Sequence, residues 1–193
     1  MPELDPFTRI STAIEDRLRL AFKANRWDFH IVPDPLSDAE FRSLVTRTPL
    51  LALSFRQMNP PDKGVGRRFS GNLGMRLTIV VKNPNGRQYR YLGDAKGPGL
   101  FPSMSGAALL LNGFTVADLG TIFVGAIAQA YAEGFPDLNA AIATIDLTML
   151  ATFGDILGDF ENADDFLSTL SSFEPWPDPE LQPRDEPYDV RTP

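Results

Sequence analysis

A period-two pattern of apolar and polar side chains along residues 73–81 predicts a β-strand with one buried and one solvated face. The apolar positions are Leu73, Met75, Leu77, Ile79 and Val81. The dipeptide Asn85-Gly86 follows the strand, and it favours the positive φ angles of a tight turn. We expect the other predicted helices and strands to pack against this strand.

Similar but weaker patterns predict a strand over residues 49–58 and the two arms of a long hairpin, 121–132 and 139–153. Residues 27–32 form a short extended piece, and residues 88–92 are a candidate for a returning strand. The strand at 49–58 is the expected neighbour of 73–81. The second hairpin arm alternates well. The first arm is rich in alanine, a poor strand former, so a helix remains the alternative for it.

Helical spacing and helix-capping residues predict three helices. The first begins at Asp5-Pro6 and runs for about 20 residues. A capping box at Ser37 predicts a second, short helix, and an apolar helix over residues 103–111 ends at Asn112-Gly113. The predicted fold is therefore α/β, with a mixed or antiparallel sheet of about four or five strands flanked by the N-terminal helix and one or two shorter helices.

Composition divides the chain into one domain and two C-terminal segments. Residues 1–153 form the α/β domain, which contains a long basic loop at 59–70. Residues 154–173 are acidic with a short helical pattern, and residues 174–193 carry six prolines. Such a tail is either disordered or an extended arm that lies on a neighbouring subunit. As an arm, its apolar anchors are Trp176, Leu181 and Tyr188.

Charge is strongly segregated within a chain whose net charge is −7. Residues 56–96 hold nine basic and two acidic side chains, whereas residues 97–193 hold two basic and fifteen acidic ones. Separated surfaces of opposite sign favour head-to-tail association of copies. The alternative is that both are solvated faces that keep the protein soluble.

The residues that catalytic sites need are scarce. The chain has no cysteine and a single histidine, His30, which we interpret as structural. The acidic residues between Asp155 and Asp165 lack the spacing of a calcium loop, so a solvated acidic face is favoured over a cation site. No phosphate-binding loop or serine-nucleophile motif is present in the sequence. We expect neither an enzyme nor a cofactor.

A cluster of basic residues is the candidate binding surface, for an interface between subunits or for a channel. It consists of Lys63, Arg67, Arg68, Arg76 and Lys82. Clustered Lys and Arg bind phosphate, so nucleic acid is one candidate partner and an acidic protein surface is another. The acidic pI of about 4.7 and the lack of a recognition motif argue against a dedicated nucleic-acid-binding protein.

The order of elements across residues 7–153 resembles the tail terminator proteins of Mu-like and other long-tailed bacteriophages. The features that carry the resemblance are the long first helix, a short helix leading into Pro49-Leu-Leu-Ala-Leu-Ser-Phe55, the alternating strand, the helix at 103–111 and the late β-pair. The match is one of pattern and size rather than of a motif. The alanine-rich arm 121–132 and the acidic C-terminus depart from it.

The resemblance implies a structural virion protein that forms a ring of six subunits at the head-proximal end of the tail tube. There it would stop tube polymerisation and join the tail to the head. Its partners would be itself, the tail tube protein and a neck or connector protein, with weak, non-specific contact to DNA passing through the channel. We expect no membrane segment or signal peptide, and assembly in the host cytoplasm. The alternatives are another neck or tail component, such as a tail completion or head–tail connector protein, or a non-catalytic adaptor that binds through residues 63–82.

Overall fold

A twisted β-sheet with helices packed on one side organises the described part of the chain. The computed structural model describes residues 5–34, 42–43, 46, 48–60, 69–130 and 140–153. Its strands are β1 (Asp28–Val32), β2 (Leu50–Asn59), β3 (Phe69–Lys82), β4 (Thr115–Val116), β5 (Gly120–Ala130) and β6 (Ala140–Phe153). They are ordered β1-β2-β3-β6-β5-β4 across the sheet. β1 and β2 are parallel, and the remaining neighbours are antiparallel.

Three helices accompany the sheet within the described residues. They are α1 (Pro6–Arg19), α2 (Arg87–Leu92) and α3 (Leu100–Leu111). The predicted α/β class is confirmed, as are the strand around 73–81, its pairing with 49–58 and the late hairpin. The alanine-rich arm is a strand, β5, because residues 142–149 of β6 offer it hydrogen-bond partners.

The N-terminus of α1 is capped as its sequence predicts. The Asp5 carboxylate accepts hydrogen bonds from the backbone N–H groups of Phe7 at 3.0 Å and Thr8 at 3.1 Å, and also from the Thr8 hydroxyl. These bonds, chiefly the one from the Thr8 side chain, lower the pKa of Asp5. The helix spans 14 residues rather than about 20. It ends early because Phe22 turns to pack edge-on against Trp27, with 4.9 Å between ring centroids.

The main core lies on one face of the sheet, which we call the helical face. It combines alternate residues of β3 and β6 with Leu51 and Leu53 of β2. α1 covers this layer with Ile10, Ile14 and Leu18, and α3 covers it with Leu100, Ala107 and Leu111. The odd-numbered positions of β3 from Leu73 to Val81 are all buried here, which confirms the period-two pattern read from the sequence. The exception is Val80, which is buried on the opposite face with Leu50 and Ile142.

Two further details of the sequence-based prediction are wrong. Residues 88–92 form α2 rather than a returning strand, because Gly86 and Gly93, with φ of 110° and 79°, bracket a single short helix. A Cβ on Gly99 would lie 2.3 Å from the Gly93 nitrogen, so the two glycine backbones meet and turn the chain directly into α3. The described sheet has six strands rather than four or five, since the two-residue β4 adds a strand too short to show a pattern.

Several predicted features lie outside the described residues. They include the start of the helix at Ser37, most of the basic loop at 59–70, the acidic segment 154–173 and the proline-rich tail 174–193. These remain predictions.

Candidate assembly interface

The outer side of α3 is apolar and uncharged. Its sequence, LFPSMSGAALLL, contains no ionisable side chain, so the helix is hydrophobic on every side. One side packs into the core, but Phe101 on the other side is 48% exposed and Leu109 is 81% exposed. A helix of this composition is normally covered on all sides, so its outer side is suited to contact with another surface.

β5 lies beside α3 and has an unpaired edge. Along one side it pairs with β6, while on the other side the two-residue β4 pairs with only Gly120 and Thr121. No strand among the described residues pairs with 123–130 on that side. This stretch is also uncharged, and it exposes Phe123 and Ile127. An exposed edge without charge is a template for the addition of another strand.

Two hollows lie beside α3 and β5, the second of them where α2 meets both. One, of about 360 Å³, is lined by Ala108, Leu109, Asn112 and Val124. The other, of about 430 Å³, is lined by Arg87, Gln88, Tyr91, Leu92, Phe101 and Gln129. We call the outer side of α3, the β5 edge and these hollows together the α3–β5 surface.

Specific contacts hold the α3–β5 surface in shape. Asn112, which ends α3, accepts a hydrogen bond from the Val124 N–H at 3.2 Å. At the other end, Gln129 Nε2 donates to the Tyr91 hydroxyl at 2.9 Å, and the Tyr91 ring lies 5.4 Å from that of Phe101. These contacts join α2, α3 and β5, so the surface is organised before any partner binds.

Sequence reasoning missed this surface, although a signal for it was present. Between Lys96 and Glu133 the chain contains one charged residue, Asp118. The predicted helix at 103–111 and the predicted strand at 121–132 share this lack of charge. A long uncharged stretch that includes both a helix and an edge strand predicts a contact surface.

The predicted basic cluster is only partly within the described residues. Lys63, Arg67 and Arg68 lie outside them. Arg76 lies on the side of the sheet opposite the helical face, where its Nε donates to Asp146 Oδ1 at 2.9 Å. Lys82 lies six residues further along β3, which is about 20 Å for an extended strand. The structure therefore does not bring Arg76 and Lys82 together, and it gives Arg76 a carboxylate partner.

Arg76 belongs to a polar network that crosses the sheet. Arg56 Nη1 lies 3.7 Å from the same Asp146 oxygen, and Arg56 Nε lies 3.2 Å from Asp34 Oδ2. Arg56 reaches both acids because the β2–β3 register shifts between Phe55 and Gln57, which leaves Arg56 as the extra residue of a bulge. The positive charges of Arg56 and Arg76 are therefore neutralised by the negative charges of Asp34 and Asp146.

The arm anchors Trp176, Leu181 and Tyr188 and the acidic residues Asp155 to Asp165 lie outside the described residues. In the part of the chain that is described, no three His, Asp or Glu side chains cluster in a way that could hold a metal ion. No helix there is long and apolar enough to cross a membrane.

Asp94 organises the loop between α2 and α3. Its Oδ1 accepts hydrogen bonds from Asn83 Nδ2 at 3.0 Å and from the Lys96 and Gly97 N–H groups at 2.9 and 3.0 Å, and Asn85 donates to its other oxygen. These bonds, first those from Asn83 and Asn85, lower the pKa of Asp94 from 3.8 to about 2. The carboxylate links the turn after β3 to the loop that leads into α3.

This shift predicts an acid-dependent contribution of Asp94 to stability. Because its pKa is lower in the folded chain, the ionised group stabilises the fold above pH 3.8, and this stabilisation is lost as the pH falls towards 2. We expect the difference in free energy of unfolding between the wild type and Asp94→Asn to shrink over this interval. Urea denaturation at several pH values measures it. A difference that stays constant down to pH 2 would contradict the assignment.

Comparisons with known proteins identify no family. No family model matches the sequence, and no curated protein matches it. Among solved structures, a chain of the virion of a native gene transfer agent particle is similar over 78% of this chain and 100% of that one, with 10% identity and a TM-score of 0.42. A mycobacterial sensor histidine kinase, MprB, matches 77% of this chain and 98% of its own, with 14% identity and a TM-score of 0.23. Both scores lie below the level of a shared fold, so neither likeness assigns a function.

Proposed function

We propose that this protein is a self-assembling structural component of a phage-like virion and, within that class, a tail terminator. It would form a ring of six copies at the head-proximal end of the tail tube, stop tube polymerisation and join the tail to the neck. The resemblance of its element order to tail terminators supports this assignment. Most of the elements that carry the resemblance are present in the fold: α1, β2, β3, α3 and the β5–β6 pair.

The observation that carries the proposal is the α3–β5 surface. Soluble monomers rarely expose large contiguous apolar patches, and such patches usually mark sites of interaction. Here an uncharged helix side with Leu109 81% exposed lies next to the unpaired edge of β5. A protein that acts by packing against copies of itself and against its neighbours needs such a surface.

A structural role without catalysis is part of the same proposal. The chain has no cysteine, which removes thiolate chemistry, and its one histidine, His30, lies on β1 at the far end of the sheet from the α3–β5 surface. The residues that organise the surface, Asn112, Gln129 and Tyr91, hold its shape through neutral hydrogen bonds. Their arrangement suits packing rather than proton transfer.

The test is assembly with and without the tail tube. We expect native mass spectrometry of the purified full chain, alone or mixed with tail tubes, to show a closed oligomer. Electron microscopy of the mixture should show one ring at one end of each tube, with tube length no longer increasing. A ring at the head vertex instead would favour a head–tail connector. A chain that stays monomeric and leaves tube growth unchanged would refute the proposal.

A further inference from the structure

The sheet has a second unpaired edge, which is formed by β1. β1 pairs with β2 on one side, and no strand within the described ranges pairs with it on the other. The side chain of Ile31 is 69% exposed. Its register partner Leu53 is only 3% exposed and belongs to the core of the helical face. Ile31 is therefore an apolar side chain on the helical face that extends beyond the cover of α1.

The two edges face opposite sides of the same sheet: β1 is its first strand, and only the two-residue β4 lies beyond β5. We propose that the β5 edge of one copy pairs with the β1 edge of the next, so that the sheets join and Ile31 enters the groove between α3 and β5. This inference rests on the self-assembly proposed above. Because it uses two different surfaces of each copy, the contact is heterologous, as a ring requires.

The chemistry of the two edges is compatible with this pairing. β5 from Thr121 to Ala130 contains no charged residue, so an incoming strand with a charge at its centre would lose that charge's hydration. Residues 29–32 of β1, Phe-His-Ile-Val, contain no Asp, Glu, Lys or Arg. The β1 edge and the β5 edge therefore both lack fixed charges, and they can pair without burying one.

Charge at the ends of the strands sets the direction of pairing. Asp28 begins β1, and Arg87 lines the hollow at the Gln129 end of β5. Antiparallel pairing brings these opposite charges to the same end. The same arrangement places Ile31 opposite Ile127, and Phe29 opposite Gln129.

Side-chain direction agrees with this register. Ile127 pairs with Ile145 of β6 and Ile31 pairs with Leu53 of β2, and both partners are in the core of the helical face. A strand added edge to edge continues the pleat, so Ile31 and Ile127 would lie on the same face. There the exposed Leu109 of α3 extends over the groove, and apolar surface on both copies leaves water.

Disulfide trapping tests the contact without background, since the chain has no cysteine of its own. Ile31→Cys and Ile127→Cys are made as two separate full-length proteins, which are oxidised alone and as a mixture under the conditions that produce the ring. We expect a disulfide-linked dimer in the mixture and none with either protein alone. The matched control is Leu20→Cys, at the exposed apolar residue that directly follows α1, mixed with Ile127→Cys.

Each outcome decides the inference. A ring in native mass spectrometry without the Ile31–Ile127 disulfide would overturn this contact and leave the proposed function standing. Disulfide formation by Ile127→Cys alone would also overturn it, because it would show a two-fold contact between β5 strands. If no ring forms with or without tail tubes, the proposed function fails and the inference fails with it.

A second variant keeps the test informative if the cysteine proteins fold poorly. Ala128→Lys places a charge on the exposed edge of β5, where lysine opposes strand addition. We expect it to raise the dissociation constant of the assembly about tenfold or more, with an unchanged circular dichroism spectrum. Thr12→Lys, on the exposed side of α1, is the control and should assemble normally. Normal assembly of Ala128→Lys would overturn the inference.

Discussion

Replacing Leu77 by alanine is expected to lower the free energy of unfolding by about 3 kcal/mol, the largest effect that we predict for a single substitution. Leu77 is fully buried at the centre of β3, where its register partners are Leu53 on one side and Ile145 on the other. The substitution removes three carbons from the closest-packed layer and leaves a cavity that two flanking strands prevent from collapsing. Urea or guanidinium denaturation measures the loss as a lower midpoint at an unchanged slope.

Leu150→Ala is the matched control, since it removes the same atoms from a β-strand. Leu150 lies on β6 and is 59% exposed. We expect its cost to be below about 1 kcal/mol, because little transfer free energy and no cavity are involved. Equal costs at Leu77 and Leu150 would mean that the helical face is not the main core.

The sequence predicted best where burial is one-sided. Apart from Val80 and Ile142, which are buried on the opposite face, β3 and β6 bury the side chains of the helical face only, so their side chains alternate in polarity. Both strands are 14 residues long, so the alternation is repeated several times. The pairing of β2 with β3 followed from the same logic. The Asp5 cap was predictable because a side-chain cap is a local interaction.

Short elements, and elements that depend on tertiary contacts, could not be predicted from the hydrophobic pattern of the sequence. Residues 87–92 are too few to separate a period of 2 from one of 3.6, and the short helix is bracketed by Gly86 and Gly93, whose positive φ angles end it on both sides. α3 begins at Leu100 without a side-chain cap, so no local signal marked its first turn. β5 is a strand despite its alanines because β6 supplies partners, which outweighs intrinsic propensity.

The candidate site also depends on contacts between residues that are far apart in the sequence. A run of basic residues along the sequence indicated a surface, but charge along a chain says nothing of partners far away in sequence. Arg76 pairs with Asp146, which lies 70 residues later and directly opposite it in the sheet. The α3–β5 surface, in contrast, is built on an uncharged helix and an uncharged strand edge, with Arg87 at one end, and only the fold places that helix beside that edge.

We therefore expect the network around Asp146 to stabilise the fold rather than to bind a partner. Asp146 accepts from Arg76 at 2.9 Å and lies 3.7 Å from Arg56, and its side chain is one-third exposed. Removal of an exposed ion pair costs up to about 1 kcal/mol, whereas breaking a buried pair costs about 3–5 kcal/mol. With exposed fractions of 30% for Arg76, 33% for Asp146 and 44% for Arg56, this network lies between the two cases.

Asp146→Ala is accordingly expected to lower the free energy of unfolding by about 1 to 2 kcal/mol, because two guanidinium groups then lie close together without their shared carboxylate. Denaturation of the single variants Asp146→Ala and Arg76→Ala and of the double variant measures the coupling between the pair. The double variant should lose less than the sum of the two single variants, and the difference should shrink in high salt. Asp16→Ala, at an exposed acid of α1, controls for the loss of a negative charge. Strict additivity would show that the 2.9 Å contact contributes nothing, and Arg76 would then be available to a partner outside the chain.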